Sequence, residues 1–168
     1  FNRSENIVES NKTSEVTKVT DNKTYSASLL ACGDVMAHMP QLKAQYNAST
    51  KKYSFDNNYK YVKKYIKNAD LAMANLETTL CGDDVYAYSS YPTFNTPDAL
   101  ADSLKNVGFD LLSTINNHSF DMSSLGVERT LSTLKKKGFD TVGTREKKSD
   151  DEYVIENVNG IKLGITAY

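Results

Sequence analysis

The chain contains the stretch Asp70-Leu-Ala-Met-Ala-Asn-Leu-Glu77, in which a short apolar run ends in two polar side chains. Short apolar runs between polar boundaries are typical of buried strands. Two further stretches repeat the pattern: residues 28–33 precede Asp34, and residues 109–115 precede the polar run Asn116-Asn117-His118-Ser119-Phe120-Asp121. Because helical patterns separate the three runs, the sequence predicts an α/β fold built on a parallel sheet.

Polar side chains therefore follow three predicted strands. In an open α/β sheet, ligands bind in the crevice outside the carboxyl ends of the strands. We expect one edge of the sheet to bring together the carboxylates of Asp34 and Glu77, an amide and the imidazole of His118. Oxygen and imidazole ligands suit a hard or borderline divalent metal ion, and a histidine beside it suits a general acid.

Composition excludes some classes of protein. The 168 residues are 39% hydrophobic and 24% charged, which is ordinary for a globular domain. A net charge of −1 gives no overall field that would attract nucleic acid or a membrane, so we expect no nucleic-acid partner. No apolar run approaches the roughly 18 residues of a membrane span. The chain begins at Phe1, so we read it as a trimmed or mature form, and a missing signal peptide says nothing about location.

The N-terminal stretch differs from the rest of the chain. Residues 1–26 are rich in Asn, Lys, Glu, Ser and Thr and show no sustained period. This composition predicts a flexible polar tether before a folded domain at residues 27–168. A polar stalk suits a protein held at a cell surface, and a frayed terminus is the alternative.

Two helices are predicted between the strands. The first has one apolar face that recurs at helical spacing, formed by Phe55, Tyr59, Val62, Ile66 and Ala69. The second begins with Thr96 as N-cap and Pro97 in its first turn. Its predicted buried stripe is Leu100, Leu104 and Val107. Gly108 is the predicted left-handed residue that ends the helix.

A third helix and a hairpin are predicted nearer the C-terminus. Ser123 or Ser124 caps this helix, which turns Val127, Leu131 and Leu134 inward. Asn159-Gly160 lies between alternating apolar runs and predicts a hairpin with a type I′ turn. The tripeptide Gly-Phe-Asp recurs at residues 108–110 and 138–140, each time where a predicted helix leads into a strand.

The two cysteines do not form a disulfide framework. Cys32 lies in a predicted buried strand, where a free thiol acts as a small apolar residue. Cys81 lies in a loop after another strand, so a bridge between the two is geometrically open if the strands are neighbours. No spacing supports cysteine as a metal ligand.

Several motifs together resemble one protein family, the bacterial capsule-synthesis proteins. Its CapA or PgsA-type members take part in poly-gamma-glutamate production. The resemblance covers the chain from about residue 27 to its end. The segments that carry it are Gly33-Asp34-Val35-Met36, Ala69-Asp70-Leu71, Asn75-Leu76-Glu77, Phe94-Asn95-Thr96-Pro97, Gly108-Phe109-Asp110, the run from Asn116 to Asp121, and residues 158–168.

The resemblance implies a fold and a chemistry. The family is similar in fold to calcineurin-like metallophosphoesterases, so a layered α-β-β-α sandwich is implied. By this likeness Asp34, Glu77 and Asn117 would bind a divalent ion (Mn, Zn or Fe), and His118 would protonate a leaving oxygen. The family's later histidine motifs have no counterpart before Tyr168. The resemblance therefore implies the N-terminal part of a domain, truncated after the hairpin, whose metal centre these residues do not complete alone.

Two residues close to His118 in the sequence are candidates for a supporting role. Asp121 either orients the imidazole of His118 through a ring nitrogen or caps the helix from Ser123. Asn116 is expected to have a structural role.

Three further residues are candidates for contact with substrate. Phosphoesterases usually carry Asp-x-His at the first strand, whereas here His38 follows Asp34 by four residues, so a ligand role and a substrate contact both stay open. Asn75 either touches a ligand or holds its loop through side-chain bonds to the backbone. Tyr91 belongs to a tyrosine-rich loop that either lines a groove for a polymer or packs the loop.

The resemblance implies a cell-surface protein of capsule polymer synthesis, anchored by a segment outside this chain at the extracellular face of the membrane or in the cell wall. Its partners would be the anionic polymer or its precursors and membrane-bound synthesis subunits. One interpretation is a metal-dependent hydrolase of a phosphoester or polymer amide bond; whether the protein is an enzyme stays open. The alternative is a non-catalytic scaffold or export partner, and a generic ligand-binding domain is a third interpretation. An exposed sheet edge also makes a dimer an expectation.

Overall fold

A computed structural model describes residues 23–168, and residues 1–22 of the predicted tether lie outside that range. The described elements follow one another from strand β1 to strand β8. In chain order they are β1 (Leu29–Val35), α1 (Met39–Gln45), β2 (Tyr46–Asn47), β3 (Lys52–Tyr53), α2 (Asp56–Tyr59), α3 (Lys63–Asn68), β4 (Leu71–Leu76), α4 (Ala99–Val107), β5 (Leu111–Ser113), α5 (Ser123–Lys136), β6 (Asp140–Val142), β7 (Tyr153–Val158) and β8 (Ile161–Thr166).

A parallel sheet forms the centre of the fold. Its strand order is β1-β4-β5-β6, the same as their order along the chain, and each neighbouring pair is parallel. Met73 of β4 pairs with Ala31 of β1 on one side and with Leu111 of β5 on the other. This arrangement confirms the predicted α/β fold with a parallel core and places the carboxyl ends of three strands at one edge.

Aspartates bind backbone groups where two of these strands begin. Asp70 accepts hydrogen bonds from the backbone N–H and the hydroxyl of Ser28, at 2.8 and 2.7 Å. These bonds lower the pKa of the Asp70 carboxyl. Asp110 accepts from the N–H of Ala72 at 2.9 Å. These contacts link the start of β4 to its neighbours.

One hydrophobic cluster joins the sheet to the helices on it. Ala72 and Ala74 of β4 and Leu112 of β5 are buried together with Leu100 and Leu104 of α4. The predicted stripe of α4 is therefore confirmed. The helix ends at Gly108, whose φ of 113° is in the left-handed region, as predicted for its stop.

The predicted single helix with its stripe from Phe55 to Ala69 is wrong. Two short helices, α2 and α3, occupy this segment. Phe55 and Ile66 are buried in the core, but Val62, in the middle of the stripe, is 45% exposed. The chain turns between the helices, so the apolar stripe does not face the core along its whole length.

The other two predicted helices, α4 and α5, begin close to the predicted positions, but their N-caps differ from the predicted ones. The N-cap of α4 is Asp98, because Thr96 is buried and its hydroxyl bonds the hydroxyl of Thr78 at 2.8 Å. Helix α5 starts at Ser123, but its N-cap is Met122 and no side chain caps it. Leu134 of this helix is fully buried, whereas Val127 and Leu131 are only half-buried.

Cys32 is exposed, which corrects its expected burial. It lies on β1, and β1 is at the edge of the parallel sheet, where one side of the strand has no neighbour within residues 23–168. Cys81 is buried, and both thiols are free.

The C-terminal hairpin confirms its predicted turn. Strands β7 and β8 pair antiparallel as a separate two-stranded sheet. Asn159 and Gly160 have φ of 52° and 86°, the two positive values that a type I′ turn requires. Among the described residues, no helix is both long and apolar enough to cross a bilayer.

The long loop between β4 and α4 is organised by one buried side chain, Asn95. Its Oδ1 accepts from the N–H of Cys81 at 2.9 Å. Its Nδ2 donates to the carbonyls of Gly82 at 2.7 Å and Tyr86 at 3.0 Å. Asn95 is fully buried, so water does not replace these bonds. One amide therefore closes the loop beside the end of β4.

We expect Asn95→Ala to lower the free energy of unfolding by about 2–3 kcal/mol, because it leaves buried backbone groups without partners. Urea unfolding followed by circular dichroism measures this. The matched control is Asn106→Ala on the exposed face of α4, where alanine is the better helix former and no loss is expected. Equal midpoints for Asn95→Ala and the unchanged chain would contradict this role.

Candidate functional site

Two carboxylates meet at the carboxyl edge of the sheet, as the sequence predicts. Asp34 lies near the end of β1, and Glu77 directly follows β4. Asn75 lies between them: its Nδ2 donates to Asp34 Oδ1 at 2.7 Å and approaches Glu77 Oε2 at 3.5 Å. Gly33 allows this approach, since a Cβ there would lie 3.2 Å from the Cβ of Asn75. Asn75 therefore contacts the predicted ligands.

The environment of Glu77 disfavours its charged form. Glu77 is buried, with 9% of its surface exposed. Burial raises the pKa of this carboxyl, and the hydrogen bond and negative charge of Asp34 raise the same pKa further. His118 acts in the opposite direction. A positive charge between Asp34 and Glu77 would relieve the repulsion between them.

The imidazole of His118 is held by an acidic partner. Its Nδ1 lies 2.8 Å from Asp121 Oδ2, and its Nε2 lies 4.0 Å from Glu77 Oε1. Asp121 also accepts from the backbone N–H of Phe94 at 2.6 Å. Of the two roles left open for Asp121, the structure shows contact with His118 and gives no cap on α5. With Nδ1 facing a carboxylate, Nε2 is the ring nitrogen directed towards Glu77.

Asn116 holds the loop that carries His118. Its Nδ2 donates to Asn75 Oδ1 at 3.1 Å and to the carbonyl of Leu76 at 2.9 Å. Its Oδ1 accepts from the N–H of His118 at 3.0 Å. This amide links the loop after β5 to the end of β4. Asn117 has an exposed side chain without a hydrogen bond among residues 23–168, so its role as a metal ligand stays a prediction.

A phenylalanine brings the two histidines of the chain into one cluster. The ring of Phe94 is edge-to-face with His118 at 4.7 Å between centroids, and with His38 at 5.1 Å. Phe94 is 1% exposed. Sequence reasoning placed Phe94 only within a family motif, because an isolated phenylalanine in a loop gives no signal of what it packs against. Its ring restricts the orientation of the His118 imidazole.

The tyrosines of the loop divide between packing and exposure. Tyr88 packs edge-to-face on Tyr53, and burial raises its pKa to about 12. Tyr91 is 74% exposed, and the described residues give its hydroxyl no hydrogen-bond partner. Its role as a substrate contact stays a prediction.

The carboxylates of Asp34 and Glu77 are suitable ligands for a divalent ion, but two such ligands are too few to complete its coordination. Asp34 and Glu77 provide two carboxylates, and burial, followed by the neighbouring Asp34, raises the pKa of Glu77. Within residues 23–168, no group of three or more His, Cys, Asp or Glu side chains is arranged to hold a metal ion. Amide or water oxygens, or groups outside this range, would have to complete the coordination.

A groove of about 450 Å³ runs beside Asp34. Neutral polar groups of Gln41, Asn58 and Tyr59 line it, together with the exposed Cys32. Burial raises the pKa of the Tyr59 hydroxyl to about 12, so this group is a neutral hydrogen-bond donor. No lysine or arginine of the described chain lines this groove.

Comparison with known proteins gives one family match. The model of the family described as bacterial capsule synthesis protein PGA_cap matches residues 28–168. This range contains every element of the candidate site.

Two curated proteins are similar to the chain. The capsule biosynthesis protein CapA of Bacillus anthracis is 23% identical over 163 residues, which cover 94% of this chain and 38% of that protein. The PGA biosynthesis protein CapA of Bacillus subtilis (strain 168) is 25% identical over 152 residues, which cover 87% of this chain and 39% of that protein. The chain therefore spans about two fifths of the length of these relatives.

We expect Asp121→Ala to disturb the loop around His118 and to lower the free energy of unfolding by about 1–3 kcal/mol, since the N–H of Phe94 loses its acceptor. Amide hydrogen exchange read by NMR should show faster exchange at Phe94. Asp121→Asn keeps an acceptor oxygen and serves as the control with the smaller effect. An unchanged exchange rate at Phe94 in Asp121→Ala would contradict this contact.

Proposed function

The chain belongs to the bacterial capsule synthesis protein family, and from this premise we propose that it serves capsule polymer biosynthesis as a metal-dependent hydrolase. The observation that carries the proposal is the meeting of Asp34, Glu77 and His118 at one edge of the sheet. Both relatives bear names of capsule or PGA biosynthesis proteins, which supports the polymer part of the proposal.

In this proposal Asp34 and Glu77, with Asn117, would hold a divalent ion (Mn, Zn or Fe). A bound ion of this kind lowers the pKa of a coordinated water, which supplies a nucleophile at neutral pH. Asn75 positions the two carboxylates through its amide, and Asn116 positions Asn75.

His118 acts as the general acid. Asp121 holds the imidazole through Nδ1, so Nε2 is the nitrogen that would pass a proton to a leaving oxygen or nitrogen. Phe94 fixes the plane of the ring. His38, which also packs on Phe94, and Tyr91 would contact the substrate beyond the reacting bond. The substrate class is a phosphoester or an amide bond of the polymer.

We also propose the finer fold and the setting of the protein. The parallel sheet and the separate hairpin β7–β8 would belong to the two layers of a metallophosphoesterase-type α-β-β-α sandwich. The domain would stand at the extracellular face of the membrane or in the cell wall. Its partners there would be the anionic polymer or its precursors and membrane-bound synthesis subunits.

The test measures metal content and hydrolysis in the full-length gene product that carries this chain. Mass spectrometry of protein dialysed without chelator gives the metal content. Bis-p-nitrophenyl phosphate and a γ-glutamyl p-nitroanilide report phosphoester and amide hydrolysis. We expect a near-stoichiometric divalent ion, lost in Asp34→Asn, and a fall in kcat of about 10²- to 10⁴-fold in His118→Gln.

Asp84→Asn is the matched control, because Asp84 is an exposed loop carboxylate with no hydrogen bond or ion pair among residues 23–168. This variant should retain both metal and activity. Circular dichroism verifies that each variant is folded. A folded full-length protein that binds no divalent ion and hydrolyses neither substrate would overturn the catalytic proposal and favour the scaffold alternative.

A further inference from the structure

One exposed segment concentrates positive charge in a chain that is nearly neutral. Residues 60–67 read Lys60-Tyr-Val-Lys-Lys-Tyr-Ile-Lys67, with four lysines and no acidic residue, whereas the whole chain has a net charge of −1. We call its exposed side chains the lysine–tyrosine surface. They are Lys60, Tyr61, Lys63, Lys64, Tyr65 and Lys67.

The tyrosines of this surface are unusually open to solvent. Tyr61 is 78% exposed and Tyr65 is 59% exposed. The Nζ of Lys60 lies 4.6 Å from the ring centroid of Tyr61, and the Nζ of Lys64 lies 4.8 Å from that of Tyr65. Each ring therefore carries a cation over its face. The surface presents aromatic area and positive charge together.

The lysines have no anionic partners in the described part of the chain. The ion pairs found among residues 23–168 involve His118, Arg129, Lys137 and Arg145, and none involves Lys60, Lys63, Lys64 or Lys67. Ammonium groups without partners remain available to an external anion. Their charge also screens readily, so binding through them should depend on salt.

The backbone under this surface is fixed by packing. Ile66 is 4% exposed and belongs to the main hydrophobic cluster. Gly108, at the end of α4, sits against Ile66 and Lys67: a Cβ there would lie 3.1 Å from Lys67 Cγ. The apolar side of α3 is thus used inside the protein. A membrane-surface helix instead needs a free apolar face to enter the acyl region.

Along the chain, the lysine–tyrosine surface directly follows residues that line the groove beside Asp34. Asn58 and Tyr59 line the groove beside Asp34, and Lys60 is the next residue in the chain. From there α3 leads back towards the start of β4, away from the carboxyl edge. The groove offers neutral amide and hydroxyl groups but no cation, and the adjoining segment supplies four.

We propose that the lysine–tyrosine surface binds an anionic, carboxylate-bearing polymer chain and leads it to the groove beside Asp34. This inference rests on the proposed function, since it gives the substrate class of the same site. Three of the four lysines lie on α3 and Lys60 lies in the turn before it, so the charges are spread over more than one turn of chain. Such a spread matches several charged units of an extended polymer better than one small anion. The lysines bind the carboxylates, and the tyrosine rings and hydroxyls contact the backbone of the polymer.

Fluorescence anisotropy with labelled polyglutamate tests the proposal, using the full-length gene product at low and moderate salt. The test variant is K60Q/K63Q/K64Q/K67Q. Its control is K135Q/K136Q/K147Q/K148Q, which removes the same charge from exposed lysines elsewhere. We expect the test variant to bind about tenfold more weakly and to lose most of its salt dependence, because several weak surface ion pairs add up. The control should stay within about twofold of the unchanged protein.

Y61S/Y65S tests the aromatic part separately and should weaken binding without changing the salt dependence. Equal losses in the two lysine quadruple variants would overturn the proposal, since net charge would then explain them. Tighter binding to vesicles of equal phosphatidylserine and phosphatidylcholine, or to single-stranded DNA, than to polyglutamate would also overturn it.

Variants of the lysines and of Asp34 distinguish a failure of this proposal from a failure of the proposed function. Hydrolysis of bis-p-nitrophenyl phosphate should be unchanged in K60Q/K63Q/K64Q/K67Q. This ester is too small to contact the lysine–tyrosine surface while it is bound at the carboxylates. Asp34→Asn should keep the salt dependence of polyglutamate binding, which the lysines supply, while losing hydrolysis. Binding without hydrolysis in the unchanged protein would overturn only the catalytic proposal, and hydrolysis without binding would overturn only the polymer surface.

Discussion

The parallel pairing of β1, β4 and β5 is the constraint on which the candidate site depends. Met73 pairs with Ala31 on one side and Leu111 on the other, and this register fixes where each strand ends. Because all three strands run in one direction, the polar residues after them meet at one edge. Reversing any one strand would move its polar group, Asp34, Glu77 or His118, to the opposite edge of the sheet.

Inside this edge, packing and electrostatics oppose each other. Glu77 is buried next to Asp34, which disfavours its charged form, and the amide of Asn75 compensates by donating to Asp34. His118 is fixed on the other side by the carboxylate of Asp121 and by the ring of Phe94. Polar groups kept close together at such a cost in free energy are typical of functional sites.

Charge is divided between two neighbouring regions of the protein. The groove beside Asp34 is lined by neutral donors and one carboxylate, whereas the lysine–tyrosine surface is cationic and lacks carboxylate partners within residues 23–168. This separation keeps lysines away from Asp34 and Glu77, which the proposed function needs free for a divalent ion. It also leaves the positive charge exposed on the surface that we propose for the polymer.

The sequence by itself predicted strands β1, β4 and β5, their common direction and the polar residues at their ends, but not the short strands β2 and β3. Apolar runs that stop at Asp34, Glu77 and His118 are local signals, and so are Gly108 as a helix stop and Asn159-Gly160 as a turn. Hydrophobic periodicity wrongly predicted one helix where α2 and α3 stand, because an apolar stripe of helical spacing does not reveal that Val62 faces solvent. It also failed at Cys32, since only the strand order places β1 at an edge.

Only the tertiary structure decided the contacts between distant parts of the chain. Phe94 packs against both His38 and His118, and Asp121 bonds both His118 and the backbone of Phe94. Asn95 closes a loop from within. These contacts depend on how loops return to the sheet, and that path is set by burial and hydrogen bonding across long sequence separations, which a local pattern does not encode.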